Sequence, residues 1–202
     1  MNYKKVFLII TFPILANLIM GCCECVGTFI FNYTNCSISL ENLDNSGQEP
    51  VESSSNTILK AAFGLRVEVE RKKDICAKDF KPLFISSTYA TSCDCPPEET
   101  YQPLDSIVSI KIVTLRDFDS AHLGNDPVSE YFSILRSTEF VSIDEFILSQ
   151  QYEFYDISNS TLSFDLMLMT PPEKHAEYQF EVLIELSDGR VLSKISDLVE
   201  LI

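Results

Sequence analysis

The chain has no tryptophan, six glycines and two histidines among its 202 residues. Without tryptophan, a sugar-stacking platform has to rest on tyrosine or phenylalanine. Glycine is too scarce for a Gly-rich phosphate loop, and neither a G-x-S-x-G elbow nor an H-E-x-x-H helix occurs. No serine or cysteine stands at a telling spacing from His122 or His175, so no nucleophile–base pair stands out. No cofactor motif is present, and none is expected to be needed. Basic residues are few: 15 Lys and Arg stand against 30 Asp and Glu, for a net charge of −15. Such a chain repels phosphate backbones, and no basic stripe offsets that, which argues against nucleic acid as a partner. A membrane-spanning run is also missing near the N-terminus. The uncharged stretch Val6–Met20 is about 15 residues, ~22 Å as a helix, where a bilayer core needs about 20 residues. Pro13 and Asn17 interrupt it further.

What is there begins with Lys4 and Lys5 ahead of that short apolar run, the layout of a secretory signal peptide. The run closes on "LIMGCCEC", Leu18 to Cys25. Within it, Ile19-Met20-Gly21-Cys22 resembles a bacterial lipobox, with Met20 standing where alanine or serine is more usual. The resemblance implies that residues 1–21 are removed and that Cys22 carries the acyl chains. Two or more such chains anchor a protein stably, since each buried CH₂ contributes about 0.8 kcal/mol. Cys23 in place of the aspartate of inner-membrane retention implies an outer-membrane address. Of the acidic run typical of surface export only Glu24 is present, so the periplasmic and surface faces both stay open. The expected organisation is a signal peptide over 1–21 and a single domain over 22–202. Its 181 residues, 21 fewer than the full 202, suffice to bury a core.

Six further cysteines remain: Cys23, Cys25, Cys36, Cys76, Cys93 and Cys95. An even count in an exported chain reads as disulfides, because that compartment is oxidising. Six allow 15 pairings, and the sequence does not choose among them. The clusters "CCEC" and "CDC" also offer thiolates to a metal, but their spacing is tighter than zinc sites favour and no histidine is near.

Period-two alternation dominates the rest. Phe63, Leu65, Val67 and Val69 alternate with polar residues, as do Leu162, Phe164, Leu166 and Leu168, and Ile38 with Leu40 follows the stretch Val26–Tyr33; these are half-buried strands. Val108, Ile110 and Ile112 form another, and Ile107 and Val113 make it apolar on both sides, which predicts a central position. Asn42–Asn56 and Cys93–Pro103 read as loops. Tyr178, Phe180, Val182, Ile184 and Leu186 lead into Asp188-Gly189, a two-residue type I′ turn signal that predicts pairing of Leu186 with Val191 and Val182 with Ile195. Two short helices are expected between strands. One starts at Asp126-Pro127 and places Val128, Tyr131, Phe132 and Leu135 on one side. The other starts at the Ser142/Glu145 capping box, with Val141 and Phe146 as a hydrophobic staple. The fold class is therefore mainly β, an antiparallel β-sandwich of about seven or eight strands with two short inserted helices.

His175–Leu201, Thr114–Phe132 and the lipobox together are similar to a family of uncharacterised Bacteroidetes lipoproteins of about 200 residues. Their shared motifs are structural, so the resemblance carries no catalytic residue with it. Bacteroidetes O-glycosylate Asp-Ser/Thr-aliphatic motifs, which Asp105-Ser106-Ile107 and Asp119-Ser120-Ala121 resemble; Ser120 is the better candidate and Ser106 the second. Asn32, Asn35 and Asn159 sit in N-x-Ser/Thr patterns. The stretch "DFDSAHLGND" gathers Asp117, Asp119 and Asp126, oxygen ligands of the kind Ca²⁺ takes, without EF-hand spacing. The reading is a lipid-anchored protein of the bacterial outer membrane, a binding or structural module whose partner beyond the membrane is an envelope protein or a glycan. The alternative is an envelope hydrolase using a carboxylate pair.

Overall fold

The computed structural model describes residues 29–73, 99–150 and 161–202. The expected signal peptide, Cys22, Cys23, Cys25, Cys76, Cys93, Cys95 and Asn159 lie outside them. The chain divides into two compact units, one of Met1–Ile30 with Asp79–Thr100 and one of Phe31–Lys78 with Tyr101–Ile202. Of the described residues only 29–30 and 99–100 fall in the first unit, and the second carries the rest.

In chain order the elements are β1 (Phe29–Asp44), β2 (Val51–Glu52), β3 (Thr57–Ile58), β4 (Phe63–Lys73), β5 (Glu99–Pro103), β6 (Ile107–Thr114), a 3-10 turn (Ser129–Tyr131), β7 (Phe132–Arg136), β8 (Glu139–Val141), helix α1 (Ile143–Gln150), β9 (Thr161–Leu168), β10 (Ala176–Tyr178), β11 (Phe180–Leu186), β12 (Val191–Ile195) and β13 (Val199–Leu201). A seven-stranded sheet runs β2-β1-β4-β9-β7-β8, with β5 also on β1; two three-stranded sheets run β10-β13-β3 and β12-β11-β6. Besides β1 with β5, every pair in these sheets is antiparallel except β13 with β3, which is parallel. The protein is mainly β, in a sandwich-like arrangement of sheets. Short strands also enter both expected loops, as β2 and β5.

The alternation read from the sequence is what closes the core. Phe63, Leu65, Val67 and Val69 are fully buried on β4, and Leu162, Phe164, Leu166 and Leu168 face the same interior from β9. From β11, Phe180, Val182, Ile184 and Leu186 come in from the other side, all within 1% of full burial. Phe180 is the hub, stacked on Phe63 at 5.4 Å and edge-on to Phe132 at 5.6 Å and Phe118 at 6.3 Å. Helix α1 closes one side with Phe146 and Ile147, and Ser142 caps it by accepting the Glu145 N–H at 3.2 Å, as the capping box predicts.

Three expectations are corrected. The helix read from Asp126-Pro127 is a single 3-10 turn followed by strand β7. Its apolar residues also fit period two: Phe132 and Ile134 are buried while Ser133 and Leu135 are only partly so. Pairing with β9 through Phe132↔Leu168 and Ile134↔Leu166 decides between the two periods. Strand β6 is not central; it ends its sheet. The ladder slips between Ile107↔Leu186 and Ser109↔Glu185, so Val108 is an extra, bulged residue. That bulge lets Ile107 and Ile110 both face inward and leaves Val108 46% exposed. The β11–β12 register is also one residue off the expected one, with Glu185↔Val191 and Glu181↔Ile195. Among the turn residues Gly189 alone has positive φ, +85°, whereas a type I′ turn needs it at both central positions. The Gly189 N–H donates to the Leu186 carbonyl and the Leu186 N–H to the Arg190 carbonyl, both at 2.9 Å. This is the three-residue loop with a left-handed glycine at its end. A one-residue slip moves a strand's side chains to the other face, so Val191 and Ile195 are 55% and 46% exposed.

Candidate functional site

The polar faces of β1, β4 and β9 form a grid. Ser37 stands beside Glu70 and Glu70 beside Thr161; Ser39 stands beside Glu68 and Glu68 beside Ser163; Glu41 stands beside Arg66 and Arg66 beside Asp165. The order follows from strict alternation, since the same strands send Ile38, Leu40, Val67 and Val69 to the core. A cleft of about 280 Å³ opens on this face, lined by Ser37, Ile38, Ser39, Glu68, Glu70 and Thr161. The Ser37 hydroxyl donates to Glu70 Oε2 at 2.8 Å, and the Ser39 hydroxyl to Glu68 Oε2 at 3.4 Å. The Ser37 hydrogen bond, helped by Lys72 Nζ at 3.4 Å, holds the Glu70 carboxyl below its ordinary pKa. Beyond the cleft Arg66 grips Asp165 with two parallel hydrogen bonds of 2.8 and 2.9 Å. A hydrogen bond with Glu52 raises the Glu41 pKa. None of these residues was singled out as a site from sequence. The signal was present in Ser37-x-Ser39-x-Glu41 and Glu68-x-Glu70, but solvated strand faces look the same.

The acid-rich loop is brought together, but around backbone. Asp117 Oδ1 accepts the Gly124 N–H at 3.0 Å and Asp126 Oδ2 the Leu123 N–H at 2.8 Å. Asp119 Oδ1 accepts from the N–H groups of Ala121 and His122 at 2.8 and 2.7 Å. Among the described residues no group of three or more His, Cys, Asp or Glu is arranged to hold a metal ion. His122 is the centre of a separate cluster. Its Nδ1 lies 2.9 Å from Asp119 Oδ1 and its Nε2 lies 3.3 Å from Glu130 Oε1. The Tyr131 hydroxyl donates to Asp119 Oδ2 at 3.0 Å. The Asp119 hydrogen bond raises the His122 pKa. Although desolvation raises the Asp119 pKa, its hydrogen bonds from His122, Ala121 and Tyr131 outweigh that and bring it down to about 2. Phe118 and Tyr131 stack at 5.2 Å beneath the loop and tie it to the core. These contacts tie the imidazole to Asp119, Glu130 and Tyr131 and so order the loop.

A third cluster joins distant parts of the chain. The Asp105 carboxylate is 2% exposed and accepts the Asn35 N–H at 2.9 Å and a hydrogen bond from Arg190 Nη2. Arg190 Nη1 also donates to the Asn35 carbonyl at 3.2 Å, and Asn35 Nδ2 donates to the Asp105 carbonyl at 2.6 Å. Burial pushes the Asp105 pKa up, against the Asn35 hydrogen bond and the Arg190 charge. Beside it a cavity of about 20 Å³, room for one water, is lined by Tyr33, Asn35, Arg71 and Ile107 among others.

Ser120 is exposed at the tip of the acid-rich loop. Ser106 is half-buried, and its N–H donates to Ser187 Oγ at 3.0 Å. Asn32 is exposed on β1 and Asn35 is 2% exposed. Cys36 lies on β1 where the β1–β4 register shifts, with Sγ 3.4 Å from the Thr34 carbonyl oxygen. His175 is exposed ahead of β10.

The fold and these clusters define a mainly β domain without a recognisable catalytic constellation among the described residues. The chain belongs to a family described as a domain of unknown function, DUF5034, whose model matches residues 35–197. No curated protein and no solved structure matches it.

Proposed function

We propose that this protein is a binding module of the bacterial cell envelope, held to the outer membrane through acyl groups on Cys22, that takes a hydroxyl-rich ligand, a glycan, on the polar face of its large sheet. The observation that carries the binding reading is the cleft of about 280 Å³ with two carboxylates and three hydroxyls on its walls. Charged acceptors spaced along a strand suit the vicinal hydroxyls of a sugar, because hydrogen bonds to charged groups contribute about 1.5–3 kcal/mol each. The anchor is supported by the lipobox-like "IMGC" and the short apolar run ahead of it. An oxidising compartment is supported by the even count of six cysteines that follow Cys22.

The rival hydrolase needs one protonated acid beside one charged carboxylate. Glu70 is poorly suited to be the acid, since Ser37 and Lys72 hold it ionised. Glu41 and Glu52 come nearer to such a pair, with Glu41 raised by their shared hydrogen bond. Glu52 is 62% exposed, however, and neither residue lines the cleft.

Two measurements test the proposal. The intact mass of protein from its native membrane should match a chain starting at acylated Cys22, and six alkyl groups should be gained only after reduction. An unacylated chain overturns the anchor, and free thiols overturn the disulfides. On a bacterial polysaccharide array the full chain should bind, and Glu68→Gln with Glu70→Gln should weaken binding by about tenfold or more. Array binding that survives both substitutions removes the cleft from the proposal, and no binding to any polysaccharide overturns the glycan reading.

A further inference from the structure

The two outer strands of the β12-β11-β6 sheet are treated differently. The free edge of β6 is covered by the chain itself: the Val128 N–H donates to the Ile112 carbonyl at 2.8 Å, the Thr114 N–H to the Asp126 carbonyl at 3.1 Å and the Ile112 N–H to Ser129 Oγ at 2.8 Å. Strand β12 has no such cover among the described residues. The Leu186 N–H bonds the Arg190 carbonyl and the Ser196 N–H bonds the Phe180 carbonyl, which fixes the ladder phase at even-numbered residues of β12. Hydrogen-bonded and non-hydrogen-bonded pairs alternate in an antiparallel ladder. The N–H and C=O of Val191, Ser193 and Ile195 therefore point away from β11. Their side chains stand on the solvent face, with Val191 55% and Ile195 46% exposed. Natural edges are usually blunted by charge, proline or a bulge. On β12 only Lys194 is charged, and it points to the opposite face from Val191, Ser193 and Ile195. Both ends of the strand are held in place, by Arg190 Nη1 on the Asn35 carbonyl and by Asn42 Nδ2 on the Asp197 carbonyl at 3.2 Å each.

We propose that β12 is a self-association edge, pairing antiparallel with β12 of a second copy of this chain about a two-fold axis through Ser193. The strand itself selects the occupant. In that register Ser193 faces the second copy's Ser193, and Val191 faces the second copy's Ile195 on either side, all at positions whose N–H and C=O are free to bond across. Paired aliphatic residues and paired hydroxyls are both favourable cross-strand neighbours. Two exposed apolar residues per chain thus cover one another, and Leu192 lies beside the aliphatic stem of the second copy's Lys194 on the other face. The contact is isologous and closes as a dimer. Five paired residues bury less than the roughly 1,200 Å² of a stable interface, and a net charge of −15 per chain opposes approach. The dimer is therefore a transient one that salt strengthens by screening.

The test is a cysteine trap on the full chain in its native membrane. Hydrogen-bonded antiparallel partners have Cα atoms about 5.5 Å apart, within disulfide reach. Under mild oxidation Ser193→Cys should give a covalent dimer at least about tenfold above Lys111→Cys, an exposed position on the same sheet outside the contact. Val191→Lys with Ile195→Lys in the Ser193→Cys background should abolish the dimer, since like charges then face each other. Co-expression with the Val191→Glu, Ile195→Glu form of Ser193→Cys should restore it as a mixed dimer, which also shows that the charged forms still fold. Equal trapping at Lys111→Cys, trapping of Ser193→Cys only to a different protein, or no mixed dimer would overturn the proposal.

Discussion

Replacing Arg190 by alanine isolates the junction that joins β1, the β5–β6 connection and the β11–β12 turn. In the folded chain the Arg190 guanidinium meets the Asp105 carboxylate, which is 2% exposed, and the Asn35 carbonyl. Without it, Asp105 keeps the Asn35 N–H bonds at 2.9 and 3.2 Å but loses its cation. Removing one partner of a fully buried ion pair costs about 3–5 kcal/mol, and a hydrogen bond to a charged group about 1.5–3 kcal/mol. Arg190 is itself 39% exposed, so solvent screens part of the interaction and about 2–3 kcal/mol is the expected loss near neutral pH. The pH dependence has a definite sign. Burial already raises the Asp105 pKa and the Arg190 charge restrains that rise. In the variant the folded-state pKa climbs further, the native state takes up its proton more readily on acidification, and protonated Asp105 has little need of a cation. The loss measured against wild type should therefore shrink steadily as pH falls below neutral through the raised pKa. Urea unfolding of both proteins near pH 7 and near pH 4 reads this directly. A loss of equal size at both pH values, or one below about 0.5 kcal/mol near pH 7, refutes the assignment of Asp105 as a charge that Arg190 neutralises.

Four other perturbations have clear signs. His122 has a raised folded pKa, so its contribution is fully present below the unfolded value of about 6.5 and is lost as pH rises through the raised value. Thermal melts of His122→Gln should lack the fall in Tm that wild type shows across that window. Asp119, lowered to about 2, contributes above its ordinary value of 3.8 and loses that contribution as pH falls towards about 2, so Asp119→Asn should flatten the acid limb of the same melts. In Gly64→Ala the new Cβ would lie 2.7 Å from Met167 Sδ and 3.0 Å from the Leu166 carbonyl oxygen. Overpacking of this kind costs about 1–3 kcal/mol, and Met167→Ala in the same chain should recover only the side-chain part of it. Gly189→Ala meets nothing within 4 Å but carries a φ of +85°, so a loss of about 1 kcal/mol from backbone strain alone is expected in urea unfolding.

The sheets were legible because each strand that builds the core alternates cleanly, and alternation alone sends Val67 and Val69 inward and Glu68 and Glu70 outward. Legibility failed where two periods coincide or where one residue is inserted. Val128, Tyr131, Phe132 and Leu135 fit a helix, while Phe132 and Ile134 fit a strand, and only the long-range pairing with Leu166 and Leu168 separates them. Ile107 beside Val108 read as a strand with two apolar faces because a bulge is invisible to a period. At Asp188-Gly189 the turn dipeptide was right and its type was not, and that single residue carried Val191 and Ile195 from the core face to the solvent. The candidate site was illegible for a different reason. Ser37, Glu70 and Thr161 are each ordinary on a solvated strand; they become a cleft only because β1, β4 and β9 set residues 33 and 91 positions apart side by side. The Asn35–Asp105–Arg190 junction spans 155 positions, and nothing local in any of its three segments announces the other two. Short-range pattern thus fixes which side of a strand faces water, whereas chemistry on that side depends on which strands become neighbours. The same limit explains why β12 stands out only in the folded chain: an edge is a property of the sheet order, and its exposed Val191 and Ile195 are meaningful because no strand among the described residues follows them.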